Sequence, residues 1–166
     1  MNTMIPNPSR TITISKPVAY VMERLKHIGA WTGNDTGITI VQANIDTTLN
    51  TYQFKSKANI FGFADMGNNG FVTVTPVNDA SCTLSIEMGK NFGSISDQYE
   101  AQDCMSQINA FLNVLSSVLN MDMDQITKYP KQKKKVDASP ITTHSWKTIG
   151  IIWGIVFLLA MIVAAL

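Results

Sequence analysis

General acid–base chemistry in this chain would have to come from Asp65, Glu87, Tyr52 and Tyr99. A proton-transferring site needs groups of this kind within hydrogen-bond reach of one substrate. Nothing in the sequence shows that any two of these four converge. Histidine is scarce: His27 lies near a predicted helix end and His144 close to the C-terminus, so neither a nucleophilic triad nor a zinc site can be assembled. The sequence contains no GxSxG, HExxH, phosphate-binding or dinucleotide-binding motif. Cys82 and Cys104 are too few and too far apart for a disulfide scaffold or a CxxC clip, and are expected to be buried free thiols. The expectation is therefore a chain without catalytic residues, metal or cofactor.

Charge supplies the second kind of chemistry. In the stretch KYPKQKKK, five lysines (Lys128, Lys131, Lys133, Lys134 and Lys135) occupy eight positions. Residues 1–127 carry 7 basic against 11 acidic side chains, or −4, whereas residues 128–166 carry 6 against 1, or +5. A nucleic-acid binder would present its basic face on the folded part, which excludes nucleic acid as partner. The lysines are followed, after Lys147, by TIGIIWGIVFLLAMIVAAL, 19 residues without a charge. A helix of that length spans about 28 Å, close to the roughly 30 Å hydrocarbon core of a bilayer, and it is apolar on every side. Trp146 and Trp153 suit the headgroup level.

These features predict a C-terminal transmembrane anchor over residues 148–166, with the lysines, including Lys147, held on the cytoplasmic side against anionic headgroups. Gly150 and Gly154 form a small-xxx-small pair that would support a weak homodimer in the membrane. The N-terminus has no basic and apolar leader pattern, so the folded part is expected on the cytoplasmic side.

The elements that position the remaining side chains follow from periodicity. RTITI (Arg10 to Ile14) alternates as a short strand. Ser15-Lys16-Pro17 is expected to open a helix, with Ser15 as its cap, whose stripe is Val18, Val21, Met22, Leu25 and Ile28 and which ends at Gly29. From Gly37 the period changes to two, over Gly37 to Ala43, Thr51 to Lys57, Gly70 to Val77 and Cys82 to Met88, with turn clusters between them that require antiparallel neighbours. Asn59 to Asp65 would form one further strand. A long helix follows, with Ser94 and Asp97 as its capping box and Ala101, Met105, Ile108, Phe111, Leu112, Leu115 and Leu119 on one face. Strand, helix, antiparallel sheet and terminal helix make an α+β domain.

This order, together with ITISKPVAYVMERL near the front and TLSIEMGKNFGSI leading into the last helix, resembles the START-like superfamily of polyketide cyclases, lipid-transfer domains and plant allergens, and in particular its short bacterial members. The resemblance implies a helix-grip fold, in which the sheet wraps the terminal helix around an apolar cavity. On that basis the expected cavity lining is Trp31, Tyr52, Phe54, Phe61, Phe63, Phe71, Met88, Phe92, Tyr99 and Met105. The chain is thus read as an arm (1–8), a START-like domain (9–119), a polar lysine-rich linker (120–147) and an anchor (148–166). The expected function is a membrane-tethered, non-catalytic module that binds a hydrophobic small molecule or lipid. Two alternatives stand beside it: a membrane-anchored adaptor with a filled core that binds a protein partner, and a cyclase-like enzyme.

Overall fold

Alternation of branched apolar with small polar residues builds a single sheet along most of the folded part. The computed structural model describes residues 5–57, 67–91 and 93–128. Its elements in order are β1 (Ser9–Ile14), α1 (Val18–Ile28), two 3-10 turns (Gly29–Trp31 and Asn34–Thr36), β2 (Ile40–Asp46), β3 (Thr51–Ser56), β4 (Asn68–Asn78), β5 (Ser81–Lys90) and α2 (Gln98–Leu119). The five strands form one antiparallel sheet in the order β1-β5-β4-β3-β2. α1 and α2 pack on its inner face, an α+β arrangement consistent with a helix-grip fold. Among the described residues no helix is long and apolar enough to cross a membrane. The anchor predicted over residues 148–166, with Gly150 and Gly154, lies outside the described residues. So do Lys131, Lys133, Lys134, Lys135 and Lys147, and the strand expected over residues 59–65.

Several boundaries differ from the expectation. The second strand starts at Ile40, not Gly37, because Gly37 sits at φ 77° at the end of a 3-10 turn and Gly33 bridges to Ile38. A left-handed residue cannot continue a strand, and glycine is the residue that adopts it without strain. Ser15 does not cap α1; its N-cap is Pro17, extended at ψ 153° and without a side-chain hydrogen bond. The cap of α2 falls on Asp97, whose carboxylate accepts from the Glu100 N–H at 2.9 Å. Glu100 reaches back to the Ser96 N–H and hydroxyl, both at 2.9 Å, and pairs with Lys90 at 3.1 Å. Those donors, the Ser96 N–H first, hold the Glu100 carboxyl below its ordinary range.

Two exposed valines are explained by bulges. Val41 and Val77 are the extra residues where the register slips between Ile40 and Gln42 and between Pro76 and Asn78. Pro76 is tolerated in an interior strand because β4 has by then outrun β3, whose last pair is Thr51 with Thr73.

The core lies between the inner sheet face and the two helices. α1 contributes Val21, Met22, Leu25 and Ile28, and α2 contributes Cys104, Gln107, Ile108, Phe111, Val114, Leu115 and Val118. At its centre the Phe54 and Phe111 rings stack at 5.0 Å and 4° between planes, with Tyr52 tilted against both. Phe54 lies flat because its strand partner is Gly70: a Cβ there would overlap the Phe54 ring. Gly70→Ala is therefore expected to destabilise the protein by about 1–3 kcal/mol, the usual cost of overpacking. Urea unfolding measures it, and adding Phe54→Leu should return part of the loss; equal stability of Gly70→Ala and the parent would refute the packing account.

Candidate functional site

On β3, the inward-facing residues run Tyr52, Phe54, Ser56; on β4, paired alongside, they run Val72, Gly70, Asn68. One line of α2 over them runs Phe111, Gln107, Asp103 at helical spacing. All three elements thus change from aromatic or apolar to polar along the same axis. The polar end is where β3 stops and β4 begins.

Four side chains from three elements meet there. Ser56 donates its hydroxyl to Gln107 Oε1 at 2.6 Å and lies 3.3 Å from the Asn68 backbone oxygen. The Gln107 and Asn68 amide nitrogens both donate to Asp103 Oδ2, at 3.0 and 2.9 Å. Ser56 and Asn68 are each 2% exposed and Gln107 is 8% exposed, while Asp103 reaches solvent. The Asn68 Oδ1 is buried and has no hydrogen-bond partner. Turning the amide over would aim that oxygen at the Asp103 carboxylate, so the orientation is fixed by electrostatics. A buried acceptor left unpaired costs about 1–3 kcal/mol.

The expected cavity residues divide. Tyr52, Phe54 and Met88 are buried on the inner sheet face, Met88 opposite Gly70. Trp31 and Met105 are half-buried against the same core. Phe71 stands on the outer face, 45% exposed, and Tyr99 is 83% exposed in the first turn of α2; neither lines the inner face. Strand parity turns Phe71 outward, and Tyr99 lies off the buried helix stripe. Phe61, Phe63 and Phe92 lie outside the described residues, as does Asp65. Lys128 is exposed in a short helical segment over 123–128.

Among the described residues the acid–base candidates do not converge. Glu87 sits on the outer face, where Asn7 donates to it at 2.8 Å, and Tyr52 sits on the inner face. Burial pushes the Tyr52 phenol well above its ordinary value, so at neutral pH it keeps its proton. Among the described residues no group of three or more histidine, cysteine or acidic side chains has the geometry for a metal ion.

Two concavities lie elsewhere on the surface. A groove of about 440 Å³ on the outer sheet face surrounds Phe71, with Asn44, Gln53, Lys55, Asn69 and Glu87 on its walls. A second, about 310 Å³, runs between β1 and α2 over Ile12, Ile14, Leu112 and Leu119. Sequence reasoning missed Ser56, Asn68, Asp103 and Gln107. The signal available was parity, since Ser56 continues the inward set of Tyr52 and Phe54, and the helical spacing of Asp103 and Gln107 to Phe111.

No family model matches this sequence, and no curated relative was found. Among solved structures, the chain is similar to the di-domain ARO/CYC BexL from the BE-7585A biosynthetic pathway, at 10% identity and TM-score 0.47 over 75% of this chain and 48% of that one. It is also similar to a START superfamily protein from Mycobacterium smegmatis, at 8% identity and TM-score 0.47 over 69% and 97% of the two chains. A third is a norcoclaurine synthase point mutant from Thalictrum, at 7% identity and TM-score 0.45 over 70% and 96%. The chain spans about half the length of the ARO/CYC di-domain proteins, 48% of BexL and 43% of StfQ.

Cys82 and Cys104 are free and fully buried. Burial raises both thiols above their ordinary value, and at Cys104 the neighbouring Asp103 carboxylate adds to the effect. A raised acid binds its proton more tightly in the folded state. Stability from this source is thus complete below the free-thiol value of about 8.5 and falls as pH rises above it. In the native protein at pH 8, neither thiol should react with a disulfide reagent on the timescale on which both react in urea; rapid native labelling of Cys104 would contradict its burial.

Proposed function

We propose that residues 9–119 form a START-like module that holds a hydrophobic small molecule or lipid at its inner face, and that residues 120–166 tether it to a membrane on the cytoplasmic side. The observation that carries the ligand reading is the unpaired Asn68 oxygen at the polar end of an aromatic-lined helix–sheet interface. A buried acceptor without a partner is costly, and an incoming donor would remove that cost. Apolar walls with a few placed polar groups are what small-molecule sites present. The tether rests on the uncharged stretch after Lys147 and the lysines before it.

The tight Tyr52–Phe54–Phe111 packing favours the second reading, an adaptor with a filled core. Native mass spectrometry of the full chain released from detergent decides between them: the ligand reading expects a small-molecule adduct that unfolding releases. A bare chain that also takes up no fluorescent alkyl probe from vesicles would leave the adaptor. For the tether, alkaline carbonate should leave the chain in the vesicle pellet, and release into the supernatant would reject a spanning anchor.

A further inference from the structure

The outer face of the sheet changes in composition along the strands. Over most of it the outward residues are threonine and serine, with Thr11 and Thr13 on β1 beside Ser85 and Thr83 on β5, and Thr73 and Thr75 on β4 beyond them. Toward the end where β3 stops and β4 begins they change to carboxamides: Gln42 and Asn44 on β2, Gln53 on β3 and Asn69 on β4. These amides surround the exposed Phe71 in the groove of about 440 Å³. Threonine suits a solvent-facing strand and asparagine does not, so strand propensity does not account for the change. Among the described residues none of the four amides has a side-chain hydrogen-bond partner within the protein.

Register aligns the central groups. Asn44 pairs with Gln53, Gln53 with Phe71 and Phe71 with Glu87, so one row crosses four strands at about 4.8 Å per step. Phe71 thus has an amide on one side and a carboxylate on the other. Glu87 is held in place by the Asn7 carboxamide, which donates to its Oε1 at 2.8 Å and lies over Gly89, where a Cβ would come within 2.9 Å of it. The second Glu87 oxygen accepts no hydrogen bond among the described residues. Charge in the groove nearly cancels, since Lys90 is paired with Glu100 at 3.1 Å and only Lys55 stands against Glu87.

We propose that this outer groove binds a neutral oligosaccharide, at a site independent of the inner-face reading above. The C–H face of a sugar ring is apolar and fits the electron-rich face of an aromatic ring, while the hydroxyls on its rim both give and accept hydrogen bonds. A carboxamide offers both functions in one plane. Gln53 and Glu87 stand where the two edges of a sugar seated on Phe71 would fall, and Asn44, one step beyond Gln53, meets the next sugar along the row. A lipid or aromatic ligand would cover the amides and leave them unpaired. A polyanion would meet Glu87 and a single unpaired ammonium, too little positive charge to hold phosphates or sulfates.

Saturation-transfer NMR tests this on the full chain in phosphatidylcholine nanodiscs free of alkyl-glycoside detergent, with cello-, malto-, manno-, galacto- and chitotetraose as probes and empty nanodiscs as the blank. At least one tetrasaccharide should bind, with transfer strongest to its ring C–H protons, and raising salt to about 0.5 M should leave its affinity within about twofold, because screening acts on charges. Phe71→Ala should weaken that sugar about tenfold or more and Phe71→Trp should retain it. Gln53→Ala and Asn44→Ala should each weaken it about threefold to tenfold, the loss of one hydrogen-bonding group. Binding of none of the five, or binding that survives Phe71→Ala, overturns the proposal. So does a heparin tetrasaccharide or an oligothymidylate that binds in their place and is released by salt. Should Phe71→Ala not fold, Gln53→Ala and Asn44→Ala decide, and every one of these failures leaves the inner-face reading untouched.

Discussion

The stack of Phe54 on Phe111 fixes how the sheet and the long helix meet. Rings whose centroids lie 5.0 Å apart and whose planes are nearly parallel allow little sliding, since either helix translation or rotation would lift one ring off the other. The stack requires that β4 present no side chain beneath Phe54, and Gly70 meets that requirement. Once this contact is set, register does the rest. Two residues along β3 bring Ser56 to the inner face, two along β4 bring Asn68, and one and two turns back along α2 bring Gln107 and Asp103 above them. The polar cluster is therefore a consequence of an apolar contact about a helical turn away.

The cluster joins the same elements a second time, and in a different currency. Asp103 Oδ2 gathers one amide from β4 and one from its own helix, and Ser56 ties β3 to that helix through Gln107. Buried polar networks favour one arrangement strongly because alternatives leave groups unpaired. Here each donor atom has a partner within the cluster, and one acceptor, the Asn68 Oδ1, has none. At the far end of α2, Tyr20 donates to the Leu119 backbone oxygen at 3.0 Å and the Arg24 guanidinium lies over the Tyr20 ring, so α1 fastens the helix where the sheet does not.

Much of the fold was legible because the strands alternate cleanly: the Tyr52, Phe54 set and the Leu84, Ile86, Met88 set both point inward as alternation demands. Alternation alone starts β2 three residues early, since GITI alternates as well as a strand does and the left-handed Gly37 leaves no mark in hydrophobicity. The apolar stripe of α2 is rotated from its buried face. Its centre includes Cys104 and Gln107, which an apolar stripe passes over, while Ala101, Met105, Leu112 and Leu119 flank it half-buried. Asn68 was hidden in DMGNNG, whose composition signals a turn but whose last residues open a strand. The cavity expectation for Phe71 and Tyr99 rests on residue type, and type carries no parity. A polar residue at a core position looks like an error in a pattern until the partner on another element is known, and that pairing is a tertiary fact.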